Sequence, residues 1–187
     1  IGHVVAAEST APLFLDAAVS THTPGMMKDT PAGSLPAVPQ CRHLLYVMHT
    51  SGSTGKPKAA GVYHDSFVQF IHWWNHELQL GPDARCLLIN KITFDLAQKC
   101  VWGALLTGGE LHLAPTRHFD PLLAVERVAQ KQISWINCTP SMAYAMVESS
   151  EEPTRDLSSL DLLLLGGEPI DKRRLSDWLS AADCRTT

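Results

Sequence analysis

The residue types with the clearest chemistry stand in one string, residues 50–58, which reads TSGSTGKPK. Its glycines let the main chain come close to a ligand and adopt positive φ angles. Consecutive backbone N–H groups in such a loop can surround an anion, and the hydroxyl and ammonium side chains add donors and positive charge. The string therefore predicts a polyphosphate site made of Thr50, Ser51, Gly52, Ser53, Thr54, Gly55 and Lys56, with Lys58 as a helper.

This string differs from the phosphate loop of P-loop NTPases. That motif reads G-x-x-x-x-G-K-[ST], whereas here Gly52 and Gly55 stand closer together and Pro57 follows the lysine. A P-loop NTPase is therefore a poor interpretation of the chain. A surface hairpin that is rich in turn residues and binds nothing remains as the alternative.

Strand-like and helix-like segments alternate along the chain after residue 40. Asp65 is a typical N-cap, and Asp120 followed by Pro121 is typical of another helix start. This alternation implies right-handed crossovers and an α/β fold, with a mostly parallel sheet and helices on both faces. We predict strands at 43–49 (buried), 61–64, 86–89, 111–114, 133–137 and 162–165, and helices at 65–78, 94–106 (closed by 108–109), 121–131, 141–148 and 171–179.

A proline-rich stretch, 23–40, divides the chain. It holds four prolines and two glycines, which favour an extended connector over a helix or strand. We predict that residues 1–40 are the end of a preceding subdomain plus this connector, with a strand, a helix and a strand over 1–26. Residues 41–187 would then form the α/β core subdomain that carries the phosphate loop, truncated at its C-terminal end.

Composition excludes several classes of protein. The 15 basic and 19 acidic side chains give a net charge of -4, which argues against a nucleic-acid binder. No apolar run reaches the ~20 residues of a membrane span. The five cysteines are scattered and odd in number, which predicts reduced thiols and a cytoplasmic protein. His72 and His76 lie one helical turn apart without the glutamate of H-E-x-x-H, so we expect no metal site.

The segment 45–58 resembles the phosphate-loop signature of the adenylate-forming superfamily, which includes peptide synthetase adenylation domains, acyl-CoA synthetases and luciferases. His49 stands where the family usually has Tyr, and Ala59 where it usually has Gly. Five later segments resemble further family motifs in the expected order, so the resemblance covers essentially the whole chain. These segments are 62–66 (VYHDS), 92–96 (ITFDL), 102–109 (WGALLTGG), 139–141 (TPS) and 166–169 (GGEP).

The resemblance is nearest to the amino-acid-activating domain of a nonribosomal peptide synthetase, because of Asp95. In amino-acid-activating members this aspartate binds the substrate ammonium, as a charge-assisted pair. The alternative is that Asp95 only caps the helix that begins at Leu96. By the same resemblance, the substrate pocket is lined by Asp95, Leu96, Lys99, Asn137, Leu164 and Gly166, and the adenine side by Gly166, Gly167, Glu168 and Pro169.

Two of these positions carry open alternatives. An inward Lys99 would favour an acidic side chain such as glutamate, but Lys99 could also pair with Asp95 or point to solvent. Asn137 could bind a polar substrate side chain, or it could satisfy a backbone group at a strand end. The sequence therefore suggests an acidic or small polar amino acid without identifying it.

The resemblance implies an ATP-dependent acid–thiol ligase. The substrate carboxylate attacks the α-phosphate of ATP, pyrophosphate leaves, and the acyl group passes to the phosphopantetheine thiol of a carrier-protein domain; Mg²⁺ would bridge the phosphates. The chain ends before the family's Tyr-Gly-Pro-Thr-Glu string, its ribose-binding Asp and its C-terminal Lys. We therefore assign no catalytic residue within it, expect it to be inactive alone, and expect the remaining parts of the adenylation domain as partners.

Two other functions stay open at this stage. One is activation of an acyl or aryl acid by the same chemistry, which the acyl-CoA-ligase branch of the superfamily performs. The other is a catalytically inert module that binds a nucleotide or a partner.

Overall fold

A computed structural model describes residues 2–5, 19–22, 42–50, 58–114, 118–181 and 185–186. Residues 1–39 and 40–187 form separate compact units. In the first unit, strands β1 (Gly2–Val5) and β2 (Val19–His22) pair in parallel. The helix predicted between these strands and the connector predicted at 23–40 lie outside the described residues.

The second unit begins with an antiparallel hairpin of β3 (Leu44–Thr50) and β4 (Lys58–Tyr63), in which Thr50 lies opposite Lys58. The sequence predicted the first of these strands as buried, and that prediction is wrong. Leu44 is 52% exposed and Val47 47% exposed. The physical reason is that this strand belongs to a two-stranded hairpin and not to the sheet that is covered on both faces.

Five short strands form the parallel sheet of the second unit, and each neighbouring pair in it is parallel. The strands are short apolar runs, and the four residues of β7 are all buried, as befits a sheet covered on both faces. The predicted α/β fold class is confirmed. The strand order is β6-β5-β7-β8-β9, with β5 at Arg85–Leu88, β6 at Glu110–Leu113, β7 at Trp135–Cys138, β8 at Leu162–Leu165 and β9 at Arg185–Thr186.

Six α-helices and one 3₁₀ turn accompany these strands in the described part of the chain. Asp120 is the N-cap of α3 as predicted, because its carboxylate accepts a hydrogen bond from the Leu123 N–H at 3.1 Å. The helices are α1 (His64–Glu77), α2 (Asp95–Leu106), α3 (Pro121–Lys131), α4 (Pro140–Ser149), α5 (Pro153–Asp156) and α6 (Ser176–Ala181), and the 3₁₀ turn is Lys172–Arg174.

Two predicted helix details are wrong. Tyr63, not Asp65, is the N-cap of α1, and Asp65 lies in the first turn, where its carboxylate accepts the Ser66 N–H at 2.7 Å. The single helix predicted at 171–179 is a 3₁₀ turn followed by α6. Backbone bonds of the 3₁₀ type hold the turn, from the Arg174 N–H to the Asp171 carbonyl at 3.2 Å and from the Leu175 N–H to the Lys172 carbonyl at 3.1 Å, and the Asp171 carboxylate caps its start by accepting the Arg173 N–H at 3.1 Å.

Alternate strand residues point to opposite faces of the sheet and meet helices on both, as predicted. One face packs against α1 and α2, and the other against α3, α4 and α6. On the first face lie Cys86, Leu88, Trp135, Leu162 and Leu164 with Ala97, Cys100 and Ala104 of α2. On the second lie Leu87, Ile136, Cys138 and Leu163 with Val125, Val128, Ala143, Met146 and Trp178.

Two glycines end α2, as predicted. Gly108 has a φ of 77°, in the left-handed region that favours glycine at this position of a helix terminus. The Gly109 N–H then donates to the Ala104 carbonyl at 2.9 Å, and the chain passes so near β5 that a Cβ on Gly109 would lie 2.5 Å from the Ala84 carbonyl oxygen. This close approach fixes the position of the C-terminal end of α2. Because the helix is rigid, it also fixes where the N-terminal end of α2 lies over the sheet.

Candidate functional site

Asp95 is the first residue of α2. Phe94 is the N-cap, with an extended backbone and no capping hydrogen bond from its side chain. The Asp95 carboxylate accepts the N–H of the adjacent Leu96 at 2.9 Å, and a negative charge in the first turn is favoured by the helix dipole. Asp95 is therefore not the residue that caps α2. Its role in binding an ammonium group stays a prediction.

A cavity of about 260 Å³ opens beside Asp95, between the hairpin, α1 and α2. Partial burial, and secondly the negative charge of Asp95, raise the pKa of Tyr46, so the phenol stays protonated and able to donate. The cavity is lined by residues that carry a carboxylate, an ammonium group, two hydroxyl groups and three aromatic rings. Its lining residues are Tyr46, Val62, Ser66, Phe67, Phe70, Asp95 and Lys99.

Lys99 lies one turn after Asp95 and is half-buried. Its ammonium group lies over the ring of Trp74, 5.3 Å from the ring centroid, a cation–π contact. No ion pair within 4 Å joins Lys99 to Asp95 in the part of the chain that the structure describes, so the two do not neutralise each other. Two opposite charges thus face one cavity without pairing.

Asn137 is buried at the end of β7, with 2% of its surface exposed. Its side-chain amide donates to the Leu96 carbonyl at 3.2 Å. Its own backbone carbonyl accepts the side-chain amide of Asn90 at 2.5 Å. The side chain of Asn137 therefore meets a backbone group of α2, a partner that the sequence did not identify. A contact between Asn137 and a substrate stays a prediction.

The remaining predicted pocket residues lie at the carboxyl ends of β7 and β8, beneath the first turn of α2. Leu164 lies opposite Asn137 in the sheet register and is buried. The Gly166 N–H donates to the Cys138 carbonyl at 3.1 Å, and a Cβ on Gly166 would lie 3.6 Å from a methyl of Leu96. The structure thus brings Leu96, Asn137, Leu164 and Gly166 together, at the sheet edge where ligands of α/β proteins commonly bind.

Glu168 is tied to the start of α4. Its carboxylate accepts the Ser141 N–H at 3.1 Å and the Ser141 hydroxyl at 3.0 Å, which satisfies donors that the helix itself leaves unpaired. Gly167 before it has a φ of 87°, which only glycine adopts easily. Sequence analysis missed the link from Glu168 to Ser141 because the two are 27 positions apart in the sequence. The adenine contact of Gly166 to Pro169 stays a prediction.

Of the predicted phosphate site, Thr50 ends β3 and Lys58 begins β4, directly opposite each other. Residues 51–57 lie outside the described residues, so the phosphate site stays a prediction. Within the described ranges no three His, Cys, Asp or Glu side chains are grouped closely enough to hold a metal ion. Nor does any described helix have the length and apolarity needed to cross a membrane.

A second cavity, of about 380 Å³, was missed by sequence analysis. It lies at the carboxyl ends of β5 and β6, where Asn90, Lys91 and Phe94 face His118 and Met142. The only sequence signal for it is the general rule that such strand ends line crevices.

Comparison with known proteins identifies the class. Residues 5–186 match the family described as AMP-binding enzyme, and the chain belongs to that family. The chain is 32% identical over 131 residues to surfactin synthase subunit 2 of Bacillus subtilis (strain 168), which covers 69% of the chain and 4% of that protein. The predicted resemblance to the adenylate-forming superfamily, and within it to peptide synthetases, is confirmed.

Solved structures share the fold. The nonribosomal peptide synthetase FmoA3 (S1046A) superposes with a TM-score of 0.81 at 22% identity, covering 99% of the chain and 20% of FmoA3. The N-terminal subdomain of Klebsiella oxytoca NpsA superposes with a TM-score of 0.74 at 20% identity, covering 99% of the chain and 48% of that subdomain. The chain thus spans 4% of surfactin synthase subunit 2, 20% of FmoA3 and 48% of the NpsA subdomain, less than half of each.

Proposed function

We propose that this chain is part of an adenylation domain that activates an amino acid for nonribosomal peptide synthesis. In the proposed reaction a carboxylate oxygen of the amino acid attacks the α-phosphorus of ATP, and pyrophosphate leaves with the electrons of the broken bond. A phosphopantetheine thiol of a carrier domain then loses its proton and attacks the carbonyl carbon, and AMP leaves.

One observation carries this proposal: the Asp95 carboxylate lines a cavity at the start of α2 and has no ion-pair partner among the described side chains. Asp95 is exposed in this chain, and a substrate that fills the cavity would remove its carboxylate from water, which requires a compensating charge or hydrogen bond. The α-ammonium of an amino acid supplies both in one group. In the proposal, Asp95 binds this ammonium and thereby orients the substrate carboxylate.

The structural relatives favour adenylation but do not select the substrate. FmoA3 has been solved in an AMPPNP-bound form and in an alpha-methyl-L-serine-AMP bound form. NpsA has been solved in complex with anthranilyl-AMSN and with 3-hydroxybenzoyl-AMSN. One fold therefore accepts both amino and aryl acids. An aryl acid without an ammonium group would leave Asp95 uncompensated, which favours the amino acid here.

The string at 50–58 is the proposed site of the ATP phosphates. Its backbone N–H groups and Lys56 would position the β- and γ-phosphates and offset the charge that develops as pyrophosphate leaves. Mg²⁺ is the proposed companion of ATP in the intact enzyme. We assign it no ligands, because no suitable group of side chains lies within the described ranges.

Other parts of the intact protein complete the proposed enzyme. The remaining adenylation-domain segments would supply the catalytic groups, and a carrier domain would bring the thiol. The cytoplasm is the proposed compartment, because Cys86, Cys100 and Cys138 are free thiols.

Substitution of Asp95 in the intact protein tests the proposal. Asp95→Asn keeps the size of the side chain and its acceptor for the Leu96 N–H but removes the charge, and Asp95→Ala removes both. Both variants should lower kcat/KM in amino-acid-dependent pyrophosphate exchange by about 100-fold or more, the cost of leaving one charge of a buried pair without its partner. The KM for ATP should change by less than about twofold, because the phosphates bind elsewhere.

Asp95→Asn is the decisive variant. Near-normal exchange by Asp95→Asn would show that the charge is not used and would contradict the proposal. An equal loss of ATP affinity in both variants would show general damage to the domain instead of a lost substrate contact.

A further inference from the structure

We propose that His72 and His76 of α1 together bind one divalent transition-metal ion, with Zn²⁺ as the test ion, in the groove between α1 and the C-terminal end of α2. The site is separate from the proposed substrate cavity and does not depend on the proposed function. Sequence analysis expected no metal ion at this pair, because the glutamate of H-E-x-x-H is absent. The structure reverses that expectation, because it shows the groove into which both rings open.

The two imidazole rings lie on one side of α1 and line one cavity. His72 and His76 belong to the last two turns of the helix, and the cavity beside them measures about 340 Å³. Residues four apart on a helix have Cβ atoms about 5–6 Å apart, and a Zn²⁺–N bond is about 2.0–2.1 Å long. Both rings can therefore reach one ion, and both are exposed to an ion from solvent.

Both imidazoles are available as ligands. Within the described ranges, neither His72 nor His76 forms an ion pair or a side-chain hydrogen bond. His112 on β6 differs, because its Nε2 lies 2.8 Å from a carboxylate oxygen of Glu110. A neutral imidazole nitrogen with a free lone pair is the commonest metal ligand in proteins. The unpaired histidines are thus the ones that share the groove.

An unpaired amide oxygen lies beside the two histidines. Asn75 lines the same cavity, and its side-chain oxygen is buried without a hydrogen-bond partner among the described residues. This oxygen lies between the two helices, 3.4 Å from where a Cβ on Gly103 would be. A buried acceptor without a donor costs free energy. A water molecule bound to the ion would donate to it, which is the kind of outer contact that metal sites use.

The surroundings of the groove favour a positive ion. His76 lies in the last turn of α1, where the partial negative charge of the helix end stabilises cations. No Lys or Arg side chain lines the cavity. Ile71, Leu80 and Leu106 form apolar walls, which reduce the screening of the ion by water. The field and the walls therefore both strengthen the attraction of an ion to the two rings.

The ligand set defines the class of ion. Two imidazole nitrogens suit zinc, copper or nickel, whereas Mg²⁺ prefers oxygen ligands. Water would complete the coordination, because no third His, Cys, Asp or Glu side chain lies close enough within the described ranges. An ion that binds this arrangement only in the folded chain stabilises it by mass action, and so holds the C-terminal end of α1 in place.

The test is calorimetric titration of the intact protein with ZnCl₂, after a chelator has removed bound metal. His72→Ala and His76→Ala should each weaken the binding of one Zn²⁺ ion by at least about 100-fold, and Asn75→Ala by about tenfold, since outer contacts are worth 10- to 100-fold in metal affinity. The double histidine variant should lose no more than either single variant, because one ion needs both rings. Excess Mg²⁺ should not displace the ion.

His112→Ala is the matched control, because it removes an imidazole that lies outside the groove, and Zn²⁺ binding should not change. Unchanged binding in both groove variants, a loss in only one of them, an equal loss in His112→Ala, or displacement by Mg²⁺ would each overturn the inference. The far-UV circular dichroism of the metal-free variants should match that of the wild type, because both rings are exposed. Pyrophosphate exchange plays no part in these measurements, so this inference and the proposed function can fail separately.

Discussion

Asp95 and Lys99 present opposite charges one turn apart on α2, and each faces the same cavity without an ion pair between them. Side chains at such a spacing on a helix commonly attract each other. Here the ammonium of Lys99 lies instead over Trp74, which leaves a separated positive and negative charge. A ligand that carries an ammonium and an anionic side chain matches this arrangement.

The substrate preference can be tested at Lys99. The intact protein should prefer an amino acid with an anionic side chain, and Lys99→Met should lower kcat/KM for that substrate by about 10- to 100-fold, the usual cost of a lost charge-assisted hydrogen bond. Neutral amino acids should lose less than about threefold, because methionine keeps most of the apolar stem of lysine.

Lys131→Met, at the exposed end of α3, is the control for a general loss of positive charge. An equal loss for acidic and neutral amino acids would mean that Lys99 only packs against Trp74. A wild-type preference for a neutral amino acid would contradict the acidic substrate outright.

Sequence analysis identified two of the four polar residues that line this cavity. Asp95 and Lys99 share a helix, so their spacing alone predicted a common side. Tyr46 and Ser66 could not be found in this way, because they come from the hairpin and α1 and meet α2 only in the folded chain. The hydrogen bond from Asn137 to Leu96 was missed for the same reason, since 41 residues separate the two.

At the scale of elements, local sequence signals predicted where helices begin and which segments are strands better than they predicted which strands are buried. Asp120 with Pro121 marked the start of α3, and the run of four leucines marked β8. The hairpin strand β3 was misjudged because an apolar run is equally typical of a central strand and of a hairpin covered on one side. The pairing partner of a strand decides its burial, and no local pattern contains that partner.

The end of α2 offers a prediction at this scale. Gly109→Ala should lower the free energy of unfolding by about 2 kcal/mol, because the new Cβ would lie 2.5 Å from the Ala84 carbonyl, a backbone atom that cannot move aside freely. Denaturant unfolding of the variant and the wild type measures the difference.

Gly81→Ala is the matched control, since nothing lies within 4 Å of the new Cβ there. Its free energy of unfolding should stay within about 0.5 kcal/mol of the wild type. Similar stability of Gly109→Ala and Gly81→Ala would contradict the close approach of α2 and β5.

For the whole molecule, the two faces of the parallel sheet form the stable frame, and three thiols are buried in it. Cys86 and Cys100 lie on the face covered by α2, and Cys138 on the opposite face. Burial chiefly, and then the neighbouring Cys100, raise the pKa of Cys138 to about 12. The sequence predicted reduced thiols, but only the packing shows that ionisation of a thiol opposes folding.

Because the pKa of the Cys138 thiol is raised in the folded chain, the stability of the fold decreases at alkaline pH. Below about pH 8.5 the Cys138 thiol is protonated in both the folded and the unfolded chain. At higher pH the unfolded thiol ionises while the folded one stays protonated up to about pH 12. The unfolded chain then binds fewer protons, so the free energy of unfolding falls by up to about 1.4 kcal/mol per pH unit from this group.

Cys138→Ala should therefore destabilise the protein less at pH 10 than at pH 7, because the variant has no thiol to ionise. Urea unfolding at both pH values measures this, with Ile136→Val as the control, since Ile136 lies on the same face of β7 and has no ionisable group. The cost of Ile136→Val should be the same at both pH values. If the cost of Cys138→Ala were also independent of pH, the thiol would not be protected from ionisation by the fold, and the packing of this face would need another description.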